Sequence, residues 1–480
     1  MRKQLPLIII LLTVFLLRIP SFFEPYWYGD ESIRLAVGQA LFSGKTIYKD
    51  IYDNSPPLLY ILFGAGGSLL GVKLIVTLWV LTATAIFFQL AGLIAKSFKS
   101  KKLLFPTVAT SLFVLGTSTP IFEGNIANGE IFFILPVIAA MYIVFETTSI
   151  SLSLPLFFLI GLLFSFSTLI KVPSGTDFFA AFLIVLFWQQ KSLIKKLPVM
   201  TLGFIIPWIL TFLWFLLSGS FSYFFEAVFQ TTASYVNYTN ALIIPQGALI
   251  LKLAVAVFFA FLLFLKRKVF DKTLVFLLIW FDFALLGTLI GGRGFNHYLI
   301  QVVASLSLLL ALPVLKLKRV EILTSVLAFF VFILVFYFGS FTYQRTFSYY
   351  NNFLSYALGI KSEDQYRGWF DKKTPRQYQV AEFLQTKVKN SECIFIFGDE
   401  PQIYLLSGLC PTTRFVATYH LDFASHFKSE ALSQILENPP TYVVQINKTP
   451  TSFNELTRLL IQRYRPLYQI DDAQIWQRRV

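Results

Sequence analysis

Apolar positions along the chain run in long unbroken blocks rather than the short alternations of a soluble core: 5–23, 72–95, 103–119, 129–146, 152–169, 175–189, 198–217, 248–265, 273–290, 298–315 and 320–338. Each approaches the roughly 17 to 25 residues that a helix needs to cross about 30 Å of hydrocarbon. Lipid offers no partner for backbone N–H and C=O groups, so each block is predicted to be an α-helix. The pattern therefore predicts a polytopic helical membrane protein with about eleven spans.

Beyond residue 339 the pattern becomes that of a soluble chain. RQYQVAEFLQTKV (376–388) reads as a helix, CIFIFG (393–398) as a buried strand, and EPQIYLLSG (400–408) as a helix capped by Gly408. RFVAT then reads as strand, SEALSQILEN as helix, TYVVQIN as strand and FNELTRLLIQRY as helix. Such alternation predicts a small α/β domain. The expected division is a transmembrane domain over 1–339 and a soluble α/β domain over 340–480.

Composition agrees: 56% of the 480 residues are hydrophobic, 14% are charged, and the mean hydropathy is +0.66. Arg2 and Lys3 precede the first apolar block with no small-residue cleavage site after it, which reads as an uncleaved anchor. The net charge of +14 is explained by its position. Basic clusters at 96–102, 191–196, 266–272 and 316–319 fall in short loops on the side of the N-terminus, which makes that side cytoplasmic. Counting spans from there sends residues 24–71, 120–128, 218–247, 291–297 and the C-terminal segment to the opposite, extracytoplasmic face of a cell membrane. The charge thus reports topology, and no nucleic-acid partner is expected. Cys393 and Cys410 both lie in the external segment, where a disulfide is permitted and two free thiols are the alternative. No zinc spacing occurs. NYT at 237 and NKT at 447 match glycosylation sequons, a pattern short enough to arise by chance.

Chemistry gathers on the external loops. WYGDESIRLA (27–36) places Asp30 and Glu31 at the start of an amphipathic helix on which Ile33, Val37, Ala40 and Leu41 recur at helical spacing, while Glu31, Arg34 and Ser43 take other positions. Acids at a helix start also serve as caps, with Asp30 expected at the N-cap. The helix should end at Gly44, after which KTIYKDIYDNSPPLLY brings Tyr48, Asp50, Asp53, Asn54 and Pro56–Pro57. EGNIANGE adds Asn125, Asn128 and Glu130, and GGRGFNHYLIQ adds Arg293, His297 and Tyr298.

DESIRLAVGQALFSGKTIYKDIYDNSPPLLY resembles the first external loop of bacterial GT-C glycosyltransferases of the protein mannosyltransferase and aminoarabinose transferase group (glycosyltransferase family 39-like). NGEIFFILP, GGRGFNHYLIQ and the IFIFGDEPQIYLLSG stretch of the tail are similar to further segments of the same proteins. Two positions depart from that pattern: Ser55 stands where the group has a Lys, and Cys410 where a basic residue is expected.

The resemblance implies transfer of a sugar from a polyprenyl-phosphate donor to an acceptor hydroxyl, the acceptor being a glycan, lipid or protein. A phosphate is already a good leaving anion, so the reaction needs a base and positive charge rather than the acid of a glycosidase. Asp30 is the expected base, with inversion at the anomeric carbon; Glu130 is the second acid and Glu31 a supporting one. No cofactor is required by the sequence, although Asp30 and Glu130 are the positions at which a divalent cation would bind. Lys171, on the external side against the positive-inside trend, joins Arg293 and His297 as candidates for the donor phosphate. Each also has a plain reading: Lys171 snorkelling, Arg293 anchoring with Tyr298, His297 capping a loop. Tyr48, Asp53, Asn54, Asn128 and Tyr298 are candidate substrate contacts.

The aromatic second loop, with Tyr223, Phe225, Phe229, Tyr235 and Tyr238, would cover the site, meet the lipid tail or form an interfacial belt. Asp177 and Asp282 lie within spans and should face the bundle, with no role assigned. The competing class is a transporter or flippase using intramembrane charge, against which stand the clustering of acids at one face and the absence of paired broken helices. A non-catalytic scaffold is the third reading.

Overall fold

The structure is a computed structural model describing residues 4–100, 102–147, 153–188, 193–232, 249–315, 319–339, 341–342, 345–388, 392–447 and 449–479. The sequon at 237, Tyr235, Tyr238, Lys448 of the second sequon and parts of three basic clusters lie outside the described residues.

In chain order the helices begin with α1 (Leu5–Arg18), α2 (Gly29–Phe42), α3 (Pro57–Gly66), α4 (Leu69–Ser97), α5 (Leu104–Ser118) and α6 (Gly129–Thr147). Next come α7 (Leu154–Ile170), α8 (Gly175–Trp188), α9 (Leu193–Leu217), α10 (Phe221–Phe225), α11 (Leu249–Lys266), α12 (Lys272–Ile290), α13 (Ile300–Ala311) and α14 (Arg319–Phe338). All eleven apolar blocks are helical. Among the described residues eight helical segments are long and apolar enough to cross a membrane, while α5, α7 and α8 are shorter apolar helices. The apolar α3 was not among the expected blocks.

The chain divides into two units: Met1–Ser21, Lys73–Trp214 and Val236–Thr346 form unit 1, and Phe22–Val72, Phe215–Tyr235 and Phe347–Val480 form unit 2. Within unit 1, α6 packs on α7, and α12 on α8 and α13. The apolar side chains of α6, α12 and α13 are mostly buried, whereas α9, α11 and α14 expose rows of Leu, Ile and Phe. Rows of that kind are stable only against lipid.

In unit 2, α15 (Thr346–Ala357), α16 (Glu363–Phe370) and α17 (Thr374–Lys387) lead into a five-stranded sheet. Strands β1 (Cys393–Phe397), β2 (Cys410–Pro411), β3 (Tyr442–Ile446), β4 (Tyr464–Ile470) and β5 (Ala473–Arg478) stand in the order β2-β1-β3-β5-β4. The β1–β2 and β1–β3 pairs are parallel, and β5 runs antiparallel to β3 and β4. Helices α18 (Gln402–Ser407), α19 (Phe427–Glu437) and α20 (Asn454–Arg463) lie between strands. Gly408 caps α18 with a φ of 70°, as its position predicts. Cys393 and Cys410 form a disulfide across the β1–β2 pair.

One sequence expectation fails here, and one element goes beyond the sequence reading. RFVAT is not a strand of the sheet: Phe415 makes only an isolated bridge to Tyr52 of the first loop, and Thr418 begins a 3-10 turn. Its buried, β-branched look comes from packing on that loop. The β4–β5 hairpin was not foreseen, because its strands carry mostly polar outward residues and a Pro at 466, and its turn uses Asp471 at a φ of 51°.

Candidate active site

Unit 2 holds the first-loop acids. α2 begins one residue before Asp30, with Tyr28 as N-cap, so Asp30 lies inside the first turn rather than at the cap itself. Arg34, one turn on, donates from Nη2 to Asp30 Oδ2 at 3.0 Å. The Asp30 side chain remains 43% exposed while that of Arg34 is 8% exposed. A buried guanidinium thus holds an accessible carboxylate by a charge-assisted bond. Glu31 and Arg34, expected away from the apolar face, are both buried, because α2 is covered in unit 2 on more sides than its amphipathic pattern implied.

The covering helix is α3, and the contact is backbone on backbone. A Cβ at Gly38 would meet Gly64 N at 2.5 Å, and one at Gly64 would meet Gly38 O at 2.7 Å. Only glycine permits this approach. It brings Tyr60 of α3 to Asp53, whose Oδ2 accepts from the Tyr60 hydroxyl at 2.9 Å; that hydroxyl in turn accepts from Ser55 N at 2.8 Å. Asp53 is buried. Burial pushes its carboxyl above the ordinary carboxylate range, against the opposing pull of Arg34 and the Asn54 N–H. Tyr48, at a φ of 70°, is fully buried, and burial holds its phenol in the neutral form. Its hydroxyl donates to Ser55 O at 2.7 Å.

Arg414 of the tail ties this loop down. Its Nη1 donates to Tyr48 O at 2.7 Å, Nε and Nη2 form a bidentate pair with Glu430 at 2.6 and 2.8 Å, and its carbonyl accepts from Tyr52 N at 2.7 Å. The described part of the aromatic second loop joins them: Tyr223 lies under the Arg414 guanidinium at 5.4 Å, Tyr52 OH donates to Thr231 Oγ1 at 3.0 Å, and Thr232 donates to Asn54 O at 3.4 Å. Residues Glu226–Thr231 form one π-helical turn, a geometry that recurs at functional sites. The segment therefore packs on the first loop.

Unit 1 holds the second group. Lys171 Nζ donates to Glu130 Oε1 and lies 4.6 Å from the Tyr298 ring centroid. Gly129 makes room, since a Cβ there would meet Lys171 Cδ at 3.0 Å. His297 Nδ1 is 2.7 Å from Glu123 Oε2, and Phe295 stacks on the imidazole. Arg293 lies 5.8 Å from the Phe295 ring. Thus Glu130, Lys171, Tyr298 and His297 lie together, and Asn128 is buried one residue before α6. Two buried cations steady the loop that carries Glu123 and Asn128: Arg18 donates to Gly124 O at 2.6 Å and Thr77 Oγ1 at 3.1 Å, and Lys73 to Asn125 O at 3.0 Å. Asp177 accepts from Trp280 at 2.9 Å and Gln301 at 2.8 Å inside the bundle. Among the described residues no group of three or more His, Cys, Asp or Glu is arranged to hold a metal ion.

No protein-family profile matches the chain, and no curated protein matches it by sequence. Solved structures do. ArnT from Cupriavidus metallidurans in the apo state superposes with a TM-score of 0.57 at 12% identity, covering 98% of this chain and 97% of that one. ArnT from the same organism bound to undecaprenyl phosphate gives 0.53 at 13% identity, with 98% and 97% covered. The chain has a GT-C-like fold. The likeness runs through the helical region and the tail alike, in agreement with the resemblance read from the loop motifs.

Sequence reasoning missed Glu123, Tyr60, Arg414 and the structural cations Arg18 and Lys73. Glu123 and Tyr60 lie inside motifs already singled out, EGNIANGE and SPPLLY. Nothing local marks Arg414, whose partner Tyr48 is 366 positions away.

Proposed function

We propose that the protein is an inverting glycosyltransferase that moves a sugar from a polyprenyl-phosphate donor to an acceptor hydroxyl at the extracytoplasmic membrane face. The observation that carries this reading is the accessible Asp30 carboxylate, held by the buried Arg34 at the start of the first-loop helix of a GT-C-like chain. In the reaction the acceptor oxygen attacks the anomeric carbon as the bond from that carbon to the phosphate oxygen breaks. Asp30 takes the hydroxyl proton, and the lipid phosphate leaves as an anion. Arg34 fixes the direction of the base. Glu130 and Lys171 act as a pair, and Lys171, Arg293 and His297 supply positive charge for the departing phosphate. Tyr48, Asp53, Asn54, Asn128 and Tyr298 shape substrate contacts, directly or by holding the loop.

The lipid carrier is supported by the neighbouring ArnT structure, which is bound to undecaprenyl phosphate. Orientation is supported by the basic N-side loops and by the Cys393–Cys410 disulfide, which suits an oxidising compartment. The test is transfer from a panel of radiolabelled polyprenyl-phosphate sugars into envelope acceptors, comparing wild type with Asp30→Asn at matched expression. Transfer with an inverted product that disappears in the variant is expected. No transfer from any donor by well-folded wild type, with native acceptors present, would replace this reading with the transporter.

A further inference from the structure

The tail sends one more side chain to the first-loop carboxylates. His420, in the 3-10 turn Thr418–Asp422, has 0% of its surface exposed. Its ring is enclosed by Tyr419, Tyr52 and Phe423, with centroids at 4.4, 5.1 and 5.4 Å. Neither ring nitrogen has a hydrogen-bond partner. Nε2 faces Asp53 Oδ1 at 3.7 Å, while the other Asp53 oxygen is taken by Tyr60.

A core histidine kept only for packing would be served as well by Phe in this aromatic cage. Burying an imidazole with both nitrogens unsatisfied is costly, so its presence here calls for an acceptor within reach. Among the described residues the acidic group within ion-pair distance of His420 is Asp53. Catalytic hydrogen bonds are often long before substrate binds and tighten in the complex. Asp53 in turn feels the Arg34 charge that also holds Asp30.

Resting on the transferase reading above, we propose that His420 is a positioning residue of the first-loop site, its Nε2–H turned onto Asp53 so that Arg34 stays directed at Asp30. The neutral imidazole this requires agrees with its burial, which lowers its basicity to a pKa of about 3. His420 touches no reacting atom. Its action passes through Asp53 and Arg34, which would make the tail part of the catalytic apparatus.

Two measurements test this on the full chain in lipid nanodiscs. The protein contains only three histidines, so imidazole ¹⁵N signals can be assigned with His426→Gln and His420→Gln. The His420 signal should report the neutral Nε2–H form and shift in Asp53→Asn; a signal indifferent to that substitution, or the Nδ1–H form, overturns the proposal whether or not the protein transfers sugar. In the transfer assay, His420→Phe keeps the ring and loses the donor, whereas His420→Gln keeps an N–H. His420→Phe should lower kcat by about 10- to 100-fold, the usual size for an outer-shell orienting partner, with KM for the lipid donor unchanged and His420→Gln largely active. A purely structural role predicts the reverse order, with Phe active and Gln impaired. Wild type inactive on every donor would sink the transferase reading, and the ¹⁵N result would still decide the pairing.

Discussion

Arg34 Nη2 and Asp30 Oδ2 are 3.0 Å apart on successive turns of one helix, the cation buried and the acid accessible. That asymmetry separates the pair from an ordinary surface ion pair, whose members are both solvated and worth little. Arg34 has no room to swing away, so the carboxylate is aimed. Arg34→Gln is expected to lower kcat by about 10- to 100-fold with donor KM nearly unchanged, the signature of a lost orienting partner. Steady-state transfer kinetics on purified protein check this; a change in KM alone would make Arg34 a binding residue.

Lys171 and Glu130 form a pair in which the carboxylate is buried and the ammonium half-buried, with side chains 4% and 20% exposed. Removing one partner leaves the other as an uncompensated charge, so Lys171→Met should destabilise unit 1 by about 3–5 kcal/mol. The double variant Lys171→Met/Glu130→Gln should recover most of that loss while remaining inactive. Thermal unfolding in detergent measures the first quantity and the transfer assay the second.

The Cys393–Cys410 disulfide closes a loop with a sequence separation of 17. Loop-closure entropy for that length gives about 3 kcal/mol of stabilisation. Cys393→Ser/Cys410→Ser should lower the melting temperature of the tail, and a reductant should do the same to wild type but not to the variant. Proteolysis of the tail under both conditions distinguishes these outcomes.

Buried His420 gives the stability of unit 2 a definite pH slope. Its folded pKa lies near 3, below the 6.5 of an exposed imidazole. The unfolded chain therefore takes up a proton first as pH falls, and stability present above about pH 6.5 is lost between there and about pH 3, at up to about 1.4 kcal/mol per pH unit. Asp53, with its carboxyl raised by burial, works in the opposite direction, since its protonation favours the folded state. The difference between wild type and His420→Gln isolates the imidazole: the variant should melt with a flatter acid limb.

How much of this was legible in the sequence depended on whether the signal was local. All eleven apolar blocks became helices, because hydrophobic length is a property of each segment alone. The strand and helix alternation from 376 to 464 held except at RFVAT, where burial against Tyr52 imitates a strand pattern. The final hairpin escaped because an edge pair with polar faces has no hydrophobic period to read. At the site, residue types were visible and partners were not. Asp30, Asp53, Glu130 and Lys171 stood out as charges at membrane edges, whereas His420 and Arg414 sit in unremarkable stretches of the tail. Their roles come from the fold, which sets them against the first loop.

Unit 2 is assembled from three stretches of chain that the ribosome makes far apart in time. Tyr48 precedes Arg414 by 366 positions, an interval of roughly 20–70 s at synthesis rates of about 5–20 residues per second. Throughout that interval the first loop stands without Arg414, whose guanidinium holds the Tyr48 carbonyl. On the proposed function, a chain still being inserted is expected to be silent until the tail segment carrying Arg414 arrives. A premature stop anywhere before residue 414 should yield a membrane-inserted protein that leaves lipid-linked sugars untouched.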